Sequence, residues 1–497
     1  MSTTLARERG EPALSAYPRR WLALAVIAVA QLMVILDATI VNIALPQAQA
    51  DLGISDPDRQ WVVTAYTLTF GGFLLLGGRI ADYWGRKRAF IAGAIGFALA
   101  SALGGLAQTG GTLFAARALQ GAFGALLAPA SLALLTVLFT EVHERAKAFA
   151  VYGAIAGGGA AVGLLLGGVL TEWADWRWCL LVNIPIAAAA VFAAIPLVPE
   201  SKAKGNTRLD VPGAIVVTLG LVSLVYGFTK AATAGWSAAS TLTFLIGGVL
   251  LLALFVLIQL RSSNPLLPMR IPLNRNRGGA YIASLLTGAG LFGAFLFLTF
   301  YFQATLGYSP MKAGLATLPV TLGVFIAAGT ASQVLPRTGP KPLMVGGGVA
   351  ATAALLLLTQ IGLNTSYATH VFPAEVLLGL GLGFIFVPLS NLALVGVPNH
   401  DAGAASATLN ATQQVGGSLG AALLNTLVTT AVTAYLTENM RPGAEPRTVA
   451  AEAAVHGYTV AFFWGAMFLA VATVVMAALV TAHKSDMPTG PGAAPAG

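Results

Sequence analysis

An acidic residue, Asp37, lies in the apolar run at residues 21–43, deeper than any other carboxylate in an apolar run of the chain. A helix of roughly 23 residues is about 35 Å long, which is enough to cross the hydrocarbon core of a bilayer. An ionised carboxylate at that depth costs several kcal/mol, so it is retained where a group pairs with it or a cycle uses it. We therefore expect Asp37 to bind and release a proton. The alternative is a buried aspartate that hydrogen-bonds a neighbouring helix and never changes its protonation state.

A basic residue, Arg117, lies at a similar depth in the fourth apolar run. Arg117 stands about five residues, and Asp37 about six residues, from the outer end of its own run. Pairing would relieve the cost of burying both charges, so we expect the two side chains to meet. The alternative for Arg117 is a side chain that extends to the outer membrane interface.

The composition excludes a soluble globular domain. Only 9% of the 497 residues are charged and 57% are hydrophobic, whereas soluble domains carry roughly 25% charged residues. Most of the surface must therefore face lipid, and the 57 glycines are typical of closely packed membrane helices. The single cysteine, Cys179, excludes an intrachain disulfide and a thiolate metal site. We predict an all-α integral membrane protein.

The sequence contains no pattern typical of an enzyme. It has no Gly-Lys dipeptide, and so no Walker A loop for ATP, and its five histidines form no ligand cluster. No nucleophile–base constellation appears either. We expect a protein that is not an enzyme, holds no metal or cofactor, and is driven by a proton gradient.

Fourteen apolar runs are long enough to span a membrane. They cover residues 21–43, 60–78, 89–108, 113–138, 148–170, 179–198, 211–230, 241–260, 279–303, 313–334, 342–361, 371–396, 404–434 and 457–481. If the N-terminus is cytoplasmic, the inner segments hold 20 of the 27 Lys and Arg residues, the outer segments hold six, and Arg117 lies within a helix. This positive-inside bias predicts a multi-pass protein of the cytoplasmic membrane with both termini in the cytoplasm. It also accounts for the net charge of +8 without a nucleic-acid partner.

Two polar stretches, 199–210 and 261–278, bracket the seventh and eighth runs and leave six runs on either side. The two sets of six look related, because loop 78–88 corresponds to loop 331–341 and both the fifth and thirteenth runs carry glycines four residues apart. Two half-bundles around a central site are typical of alternating-access transporters. The predicted domains are a cytoplasmic N-terminal tail at 1–20, a six-helix bundle at 21–198, a linker with two extra helices at 199–278, a second six-helix bundle at 279–481 and a disordered cytoplasmic tail at 482–497.

Charged residues crowd the short loop at residues 78–88. Asp82 could accept hydrogen bonds from a helix N-terminus, and the neighbouring arginines could pair with carboxylates or lipid phosphates. Such a cluster could hold the cytoplasmic side closed. Positive-inside anchoring alone accounts for the basic residues but not for Asp82 or the glycine spacing.

This loop resembles the signature of the major facilitator superfamily, G-x-x-x-D-R/K-x-G-R-R/K, at Gly78, Asp82, Gly85, Arg86 and Lys87. Tyr83 stands where the family often has a basic residue. Segments 36–46, 176–185 and 302–314 resemble the fourteen-helix drug:proton antiporter branch. The resemblance covers about residues 17–482. It implies a two-bundle fold of six plus six helices with two extra central helices, and proton-driven export of small molecules, often drugs or antibiotics.

The resemblance also implies a role for the fourth helix. The family pattern R-x-x-x-G is matched by Arg117 and Gly121, which implies that Arg117 takes part in proton transfer. From this we infer that Arg117 keeps Asp37 ionised in one state, and that separation of the pair favours protonation of the carboxylate.

The fifth helix carries glycines at intervals of four residues, so one face is nearly bare backbone and a partner helix can approach closely. These glycines are Gly159, Gly163 and Gly167, followed by Gly168. The family's antiporter motif usually has Gly-Pro before Gly-Gly, whereas Leu164 follows Gly163 here. The proline that would kink the helix is therefore missing, but the close-packing face remains.

Several polar and aromatic residues within the runs could line a substrate cavity, or could equally join helix to helix. They are Thr39, Asn42, Tyr66, Gln120, Gln303, Asn391, Asn410 and Gln413. Glu375, two residues after Pro373 near the outer end of the twelfth run, is a candidate second acid. A carboxylate in a first helical turn is favoured by the helix dipole and often exposed, and we favour that interpretation for Glu375.

The leading hypothesis is a proton-coupled antiporter that exports small, largely hydrophobic organic molecules by alternating access. A narrow exporter of one metabolite or lipid is the alternative within transport, and a membrane sensor or scaffold that no longer transports is a third. The expected partners are a small-molecule substrate, protons and membrane lipid, with no nucleic acid and no obligatory protein partner. Asp37, Arg117 and loop 78–88 argue against a scaffold, because a scaffold needs none of them.

Overall fold

The computed structural model describes residues 17–139, 141–202, 210–397, 402–440 and 445–484, and within these ranges the chain is helical with no strand. Its fourteen helical segments are α1 (Arg20–Asp51), α2 (Trp61–Trp84), α3 (Arg86–Gly105), α4 (Gly110–Leu138), α5 (Val142–Trp173), α6 (Trp178–Leu197), α7 (Val211–Ala234), α8 (Ala239–Arg261), α9 (Arg275–Thr305), α10 (Pro310–Thr338), α11 (Pro340–Leu358), α12 (Tyr367–Leu394), α13 (Ala402–Asn439) and α14 (Pro446–Leu479).

Thirteen of these segments are long and apolar enough to cross a membrane, and α5 contributes a shorter apolar segment at Gly158–Trp173. Fourteen helices in an all-helical membrane fold agree with the sequence prediction. The predicted tails, 1–20 and 482–497, lie outside the described residues except for 17–20 and 482–484.

Several helices extend beyond the apolar runs that predicted them. α14 begins at Pro446 rather than at residue 457, and α1 continues to Asp51. Hydropathy marks only the apolar part of a helix, whereas backbone hydrogen bonding continues wherever the residues permit it. The extension of α14 is rich in alanine and starts with a proline in its first turn, and both features favour a helix.

The helices form two bundles of six with a pair beside them. α1–α6 pack mainly on one another, and so do α9–α14. α7 and α8 pack together, and α7 also lies against α2 and α13. α8 is the least buried of the spanning helices, as expected for an apolar helix that faces lipid on most sides.

The repeat relation between the bundles extends to the backbone of the corresponding loops. Gly85 joins α2 to α3 with φ 120°, and Gly339 joins α10 to α11 with φ 78°. Both values lie in the region that glycine adopts readily and other residues avoid. A glycine with positive φ therefore recurs at the matched positions of the two bundles.

Candidate functional site

Asp37 and Arg117 form a salt bridge inside the N-terminal bundle. Arg117 Nη1 lies 2.6 Å from Asp37 Oδ2, and the two side chains are 1% and 0% exposed. Arg117 therefore does not extend to the outer interface. Removing one member of such a buried pair typically costs about 3–5 kcal/mol, because the other charge is left without a partner.

Two side-chain amides complete the surroundings of the Asp37 carboxylate. Gln120 Nε2 and Asn183 Nδ2 donate to Asp37 Oδ1 at 2.9 and 2.8 Å. Both amides also hydrogen-bond the hydroxyl of Ser101, and all three of these residues are fully buried. The carboxylate thus receives three N–H donors from α4 and α6, one of them from a charged guanidinium.

Arg117 is held on its other side by α2 and its own helix. Its Nε donates to the carbonyl of Val62 at 3.0 Å, and its Nη1 also donates to Gln120 Oε1 at 2.8 Å. Its guanidinium lies 4.5 Å from the centroid of the Tyr66 ring. Hydrogen bonding and stacking together hold a guanidinium in a dry interior. Tyr66 and Gln120, proposed as cavity-lining residues, are instead fully buried around this ion pair.

Neither Asn183 nor Ser101 is singled out by the sequence pattern. Asn183 lies in segment 176–185, which carries part of the family resemblance. It is an amide within an apolar run, and that feature alone is enough to mark it as a candidate, as it marks Asn42 and Gln120. Ser101 is a small polar residue among alanines. Its local sequence does not distinguish it from a serine that merely allows helices to pack.

The glycine face of α5 packs against α1, the helix that carries Asp37. The side chain of Ile35 covers Gly159, the hydroxyl of Thr39 covers Gly163, and the backbone of Ile40 covers Gly167. A side chain at any of these glycines would meet α1 at once. The bare face therefore lets the two helices approach to backbone distance.

Gly168 points from α5 towards the other bundle. The backbone of Met311 in α10 covers it, and Gly314 of α10 lies against the carbonyl of Leu164. Close glycine contacts thus occur on two sides of α5, one within its own bundle and one between the bundles.

Loop 78–88 is organised around Glu200, a carboxylate that follows α6. The backbone N–H of Lys87 donates to Glu200 Oε1 at 3.1 Å, and Arg88 Nε lies 3.6 Å from Glu200 Oε2. A side chain at Gly85 would collide with the same carboxylate. Glu200 therefore takes the place at the start of α3 that was expected for Asp82.

Asp82 pairs instead with Arg86, whose Nη2 lies 2.9 Å from Asp82 Oδ1. The ammonium of Lys87 donates to the carbonyl of Ile195 at 2.7 Å, and Gly78 faces Pro129 of α4. These partners all belong to the N-terminal bundle. In this conformation, the contacts described for the loop tie α2, α3 and α6 together and do not join the two bundles.

Most of the other cavity candidates are partly exposed and hydrogen-bond within their own helix. Those that donate to a carbonyl three or four residues earlier are Thr39, Asn42, Asn391 and Asn410. Gln413 is also partly exposed. Gln303 differs, because its Nε2 donates across the bundles to the carbonyl of Ile43 at 2.9 Å.

Glu375 is fully buried, so the exposed position favoured from the sequence is wrong. Its Oε2 lies 3.2 Å from the hydroxyl of Tyr367, and its Oε1 has no hydrogen-bond partner among the described residues. The π-helical turn Tyr367–Val371 precedes this part of α12 and extends the helix outwards. Glu375 therefore lies behind an additional turn and is packed against α10 and α11 rather than at the membrane surface.

The two bundles meet through polar contacts in the halves predicted to face outwards. Besides the Gln303 bond, the backbone N–H of Met311 donates to Glu172 Oε2 at 3.0 Å. At the predicted cytoplasmic ends, the polar contacts of the described residues stay within one bundle, as in the pair of Arg20 and Glu144, 2.6 Å apart. The polar contacts between the bundles thus lie at the predicted outer end.

Asn425 of α13 is the centre of a second outer contact. Arg59 Nε donates to Asn425 Oδ1 at 3.0 Å, and Asn425 Nδ2 donates to Gln60 Oε1 and to the carbonyl of Asp56, each at 2.8 Å. The Arg59 guanidinium also lies 4.3 Å from the centroid of the Phe300 ring in α9. The loop after α1 is therefore fastened to two helices of the C-terminal bundle.

Two six-helix bundles that meet on one side, with a buried ion pair in one of them, define a membrane transporter. The family model of the Major Facilitator Superfamily matches residues 27–421, and the chain belongs to that superfamily. The family resemblance seen in the sequence motifs is thereby confirmed.

Curated relatives extend over nearly the whole chain. This chain is 50% identical over 467 residues to the puromycin resistance protein of Streptomyces alboniger, and the alignment covers 93% of this chain and 92% of that protein. It is 39% identical over 407 residues to a cephamycin export protein of Amycolatopsis lactamdurans, covering 81% and 84% of the two chains. Among solved structures, a bacterial homologue of the human lysosomal transporter Spinster, in an inward-facing and unoccupied conformation, has the same fold, with a TM-score of 0.66, 14% identity, and coverage of 95% and 99%.

Proposed function

We propose that the protein is a proton-coupled antiporter that exports small, largely hydrophobic organic molecules, antibiotics among them, across the cytoplasmic membrane by alternating access. The observation that carries the proposal is the fully buried Asp37–Arg117 pair in a structure whose two bundles are joined at the predicted outer end. The alternative is an exporter restricted to one metabolite or lipid.

The geometry suggests how proton binding and conformation are linked. In this conformation, three N–H donors hold Asp37 as a carboxylate. When the bundles rearrange and Arg117 moves away, the buried carboxylate loses its counter-charge and protonation becomes favourable. Return of Arg117 then displaces the proton. A substrate that binds only one of these states couples its own movement to that exchange.

The choice of substrate class rests on the relatives. Their names describe puromycin resistance and cephamycin export, and puromycin is the first compound to test because that relative is 50% identical to this chain. Transport of a chemically different compound, such as the dye ethidium, tests whether the protein accepts a broad range of substrates.

The test measures proton-coupled efflux in everted membrane vesicles. With the wild-type protein, addition of puromycin or ethidium should dissipate an imposed pH gradient. In the Asp37→Asn variant, the rate of this dissipation should fall by at least about tenfold. The reason is that loss of an essential proton-transfer group typically lowers a rate by about 10²–10⁴. Asp175→Asn is the matched control, because Asp175 is an exposed aspartate outside the ion pair.

An Asp37→Asn variant that reaches the membrane normally and still couples efflux to protons would refute the proposal. A wild-type protein that responds to puromycin but not to ethidium favours the narrow exporter. If neither compound nor any tested metabolite moves, the sensor interpretation becomes the better one.

A further inference from the structure

The Arg117 segment of α4 has a counterpart in α12 of the second bundle. The sequence ARALQG at residues 116–121 corresponds to AEVLLG at residues 374–379, so Glu375 matches Arg117 and Gly379 matches Gly121. Each charged residue stands four positions before a glycine, and α4 and α12 are the fourth helices of their bundles.

Packing supports this match independently of the sequence. In the first bundle, a side chain at Gly121 would meet the carbonyl of Tyr66 in α2, and in the second a side chain at Gly379 would meet the carbonyl of Val320 in α10. α2 and α10 are themselves the second helices of the two bundles. The glycines thus occupy equivalent positions against equivalent helices.

In both bundles, the backbone carbonyl one turn before the one that faces the glycine accepts a side-chain hydrogen bond. Arg117 Nε donates to the carbonyl of Val62, four residues before Tyr66, at 3.0 Å. In the second bundle the carbonyl of Ala316, four residues before Val320, accepts from the hydroxyl of Tyr367 at 2.8 Å. Tyr367 therefore fills the position of the Arg117 guanidinium, and Glu375 lies against it.

The Tyr367 hydroxyl has one proton for two acceptors, the carbonyl of Ala316 at 2.8 Å and Glu375 Oε2 at 3.2 Å. With a carboxylate at Glu375, one of the two contacts has no proton. With a protonated carboxyl group, the hydroxyl can donate to Ala316 at the shorter contact while Glu375 donates to the tyrosine oxygen at the longer one. A neutral Glu375 therefore satisfies both contacts.

The surroundings of Glu375 agree with a neutral acid. Within the described residues it has no salt-bridge partner, and its second oxygen is buried without a hydrogen bond. Of the helices packed on it, α11 carries only Lys341, at its cytoplasmic end, and α10 carries Lys312 and Arg337 at its two ends. An ionised carboxylate in such a place would cost several kcal/mol.

Further ionisable groups lie behind Tyr367, beyond the ring of Phe302. The Tyr367 ring packs edge-on against Phe302, 6.0 Å between centroids, and Phe302 stacks on Tyr308. The Lys312 ammonium lies over the far side of the Tyr308 ring, 3.8 Å from its centroid. On the exposed side of the same turn, His370 is bonded to Thr369. This cluster connects Glu375 to the outer end of the C-terminal bundle without placing a charge against it.

We propose that Glu375 and Tyr367 form a second proton-binding site, in the C-terminal bundle, at the position that Arg117 occupies in the N-terminal bundle. The chemistry is a simple protonation, in which the carboxylate takes one proton from water and returns it to water when the site becomes hydrated. We assign the protonated form to this conformation, because it satisfies both contacts of the Tyr367 hydroxyl. The role of this site in transport rests on the proposed function, and it adds a second proton to each cycle.

The first experiment is spectroscopic and needs no transport. Infrared difference spectra of the purified protein, recorded across pH, should contain a carbonyl stretch from a protonated carboxyl group that disappears in Glu375→Gln and remains in Asp37→Asn. Tyr367→Phe should shift the frequency of this band, because it removes the hydrogen-bond acceptor. Glu452→Gln is the control, since Tyr435 and Glu452 form an exposed tyrosine–glutamate pair that meets water.

The second experiment measures stoichiometry in proteoliposomes with puromycin as the probe. At an imposed difference of about one pH unit and no membrane potential, two protons per neutral substrate support a gradient of about 100-fold, and one proton about 10-fold. Glu375→Gln should therefore reduce the limiting gradient about tenfold while retaining transport, because glutamine can still donate to Tyr367.

The two experiments separate the possible failures. A carboxyl band unchanged in Glu375→Gln, or a limiting gradient unchanged in that variant, overturns the second proton site whatever Asp37 does. If Asp37→Asn alone leaves coupling intact, the proposed function fails, while loss of the infrared band in Glu375→Gln would still establish Glu375 as a protonated group.

Discussion

The Asp37 carboxylate is held by neighbours that differ in kind. Arg117 supplies charge, whereas Gln120 and Asn183 supply neutral N–H donors on α4 and α6. A hydrogen bond to a charged group contributes about 1.5–3 kcal/mol, and more of its electrostatic strength is retained in a dry interior. The two amides therefore supply a substantial part of the interactions that hold this carboxylate.

We expect Asn183→Ala to lower both the stability of the protein and the rate of coupled efflux. The substitution removes one of the three N–H donors to the buried carboxylate, and a hydrogen bond to a charged group contributes about 1.5–3 kcal/mol. The melting temperature in detergent and initial rates of efflux in proteoliposomes provide the check.

Asn391→Ala is the matched control, because the Asn391 amide bonds only the carbonyl of Val387 in its own helix. If Asn183→Ala has the melting temperature and the efflux rate of the wild type, the Asn183 amide does not support the ion pair.

The sequence predicts those residues of the site whose role follows from their own run of sequence, and not those whose role depends on how helices pack. Asp37 and Arg117 are predictable because charge in an apolar run is costly and matched depth suggests a partner. Ser101 is not, since its role depends on which face of α3 meets α4 and α6. The burial of Glu375 depends on a π-helical turn, which no local pattern in the sequence reveals.

At the scale of the helices, α5 determines how closely α1 can be held. Three glycines at intervals of four residues place the α1 backbone directly against that of α5, so the position of Asp37 depends on residues that have no side chain. The spacing of the glycines alone predicts that some helix packs closely on α5, but it does not predict that this helix is α1. Three helices other than α1 contact α5, and the glycine pattern is compatible with any of them.

Gly163→Val should reduce both stability and transport. The new side chain would collide with Thr39 and the carbonyl of Leu36 on α1, and overpacking of this kind typically costs about 1–3 kcal/mol. The melting temperature in detergent and efflux activity are the measurements. Gly346→Val is the control, because Gly346 is also in a spanning helix but has no atom within 4 Å of an added Cβ.

Equal losses in Gly163→Val and Gly346→Val would show that valine disturbs any of these helices. The loss in Gly163→Val could then not be attributed to the close contact between α5 and α1.

For the whole molecule, the contacts at the predicted outer end determine where the two bundles are joined. Glu172 of the N-terminal bundle reaches the backbone of Met311 in the C-terminal bundle, and Asn425 holds the loop after α1. Alternating access requires these contacts to break in every cycle. None of them pairs a charge of one bundle with an opposite charge of the other, so opening breaks no salt bridge among them.

Cross-linking across this boundary should stop transport. In a Cys179→Ala background, Glu172→Cys and Met311→Cys joined by a short bifunctional thiol reagent should lose most efflux activity, and a reductant that cleaves the linker should restore it. The control pair is Asp51→Cys and Arg177→Cys, which replaces two residues of the N-terminal bundle that form a salt bridge at the same end of the molecule. Transport that continues after complete cross-linking at residues 172 and 311 would contradict alternating access through this boundary.

Under the proposed proton coupling, the Asp37–Arg117 pair also has an electrical consequence. With Asp37 ionised, the pair has no net charge, so the membrane voltage does no work when the site moves. With Asp37 protonated, the uncompensated guanidinium carries one positive charge, and 100 mV acts on it with up to about 2.3 kcal/mol. An inside-negative voltage would then accelerate only the inward movement of the protonated site, so that one half of the cycle behaves as a voltage-dependent step and the other does not.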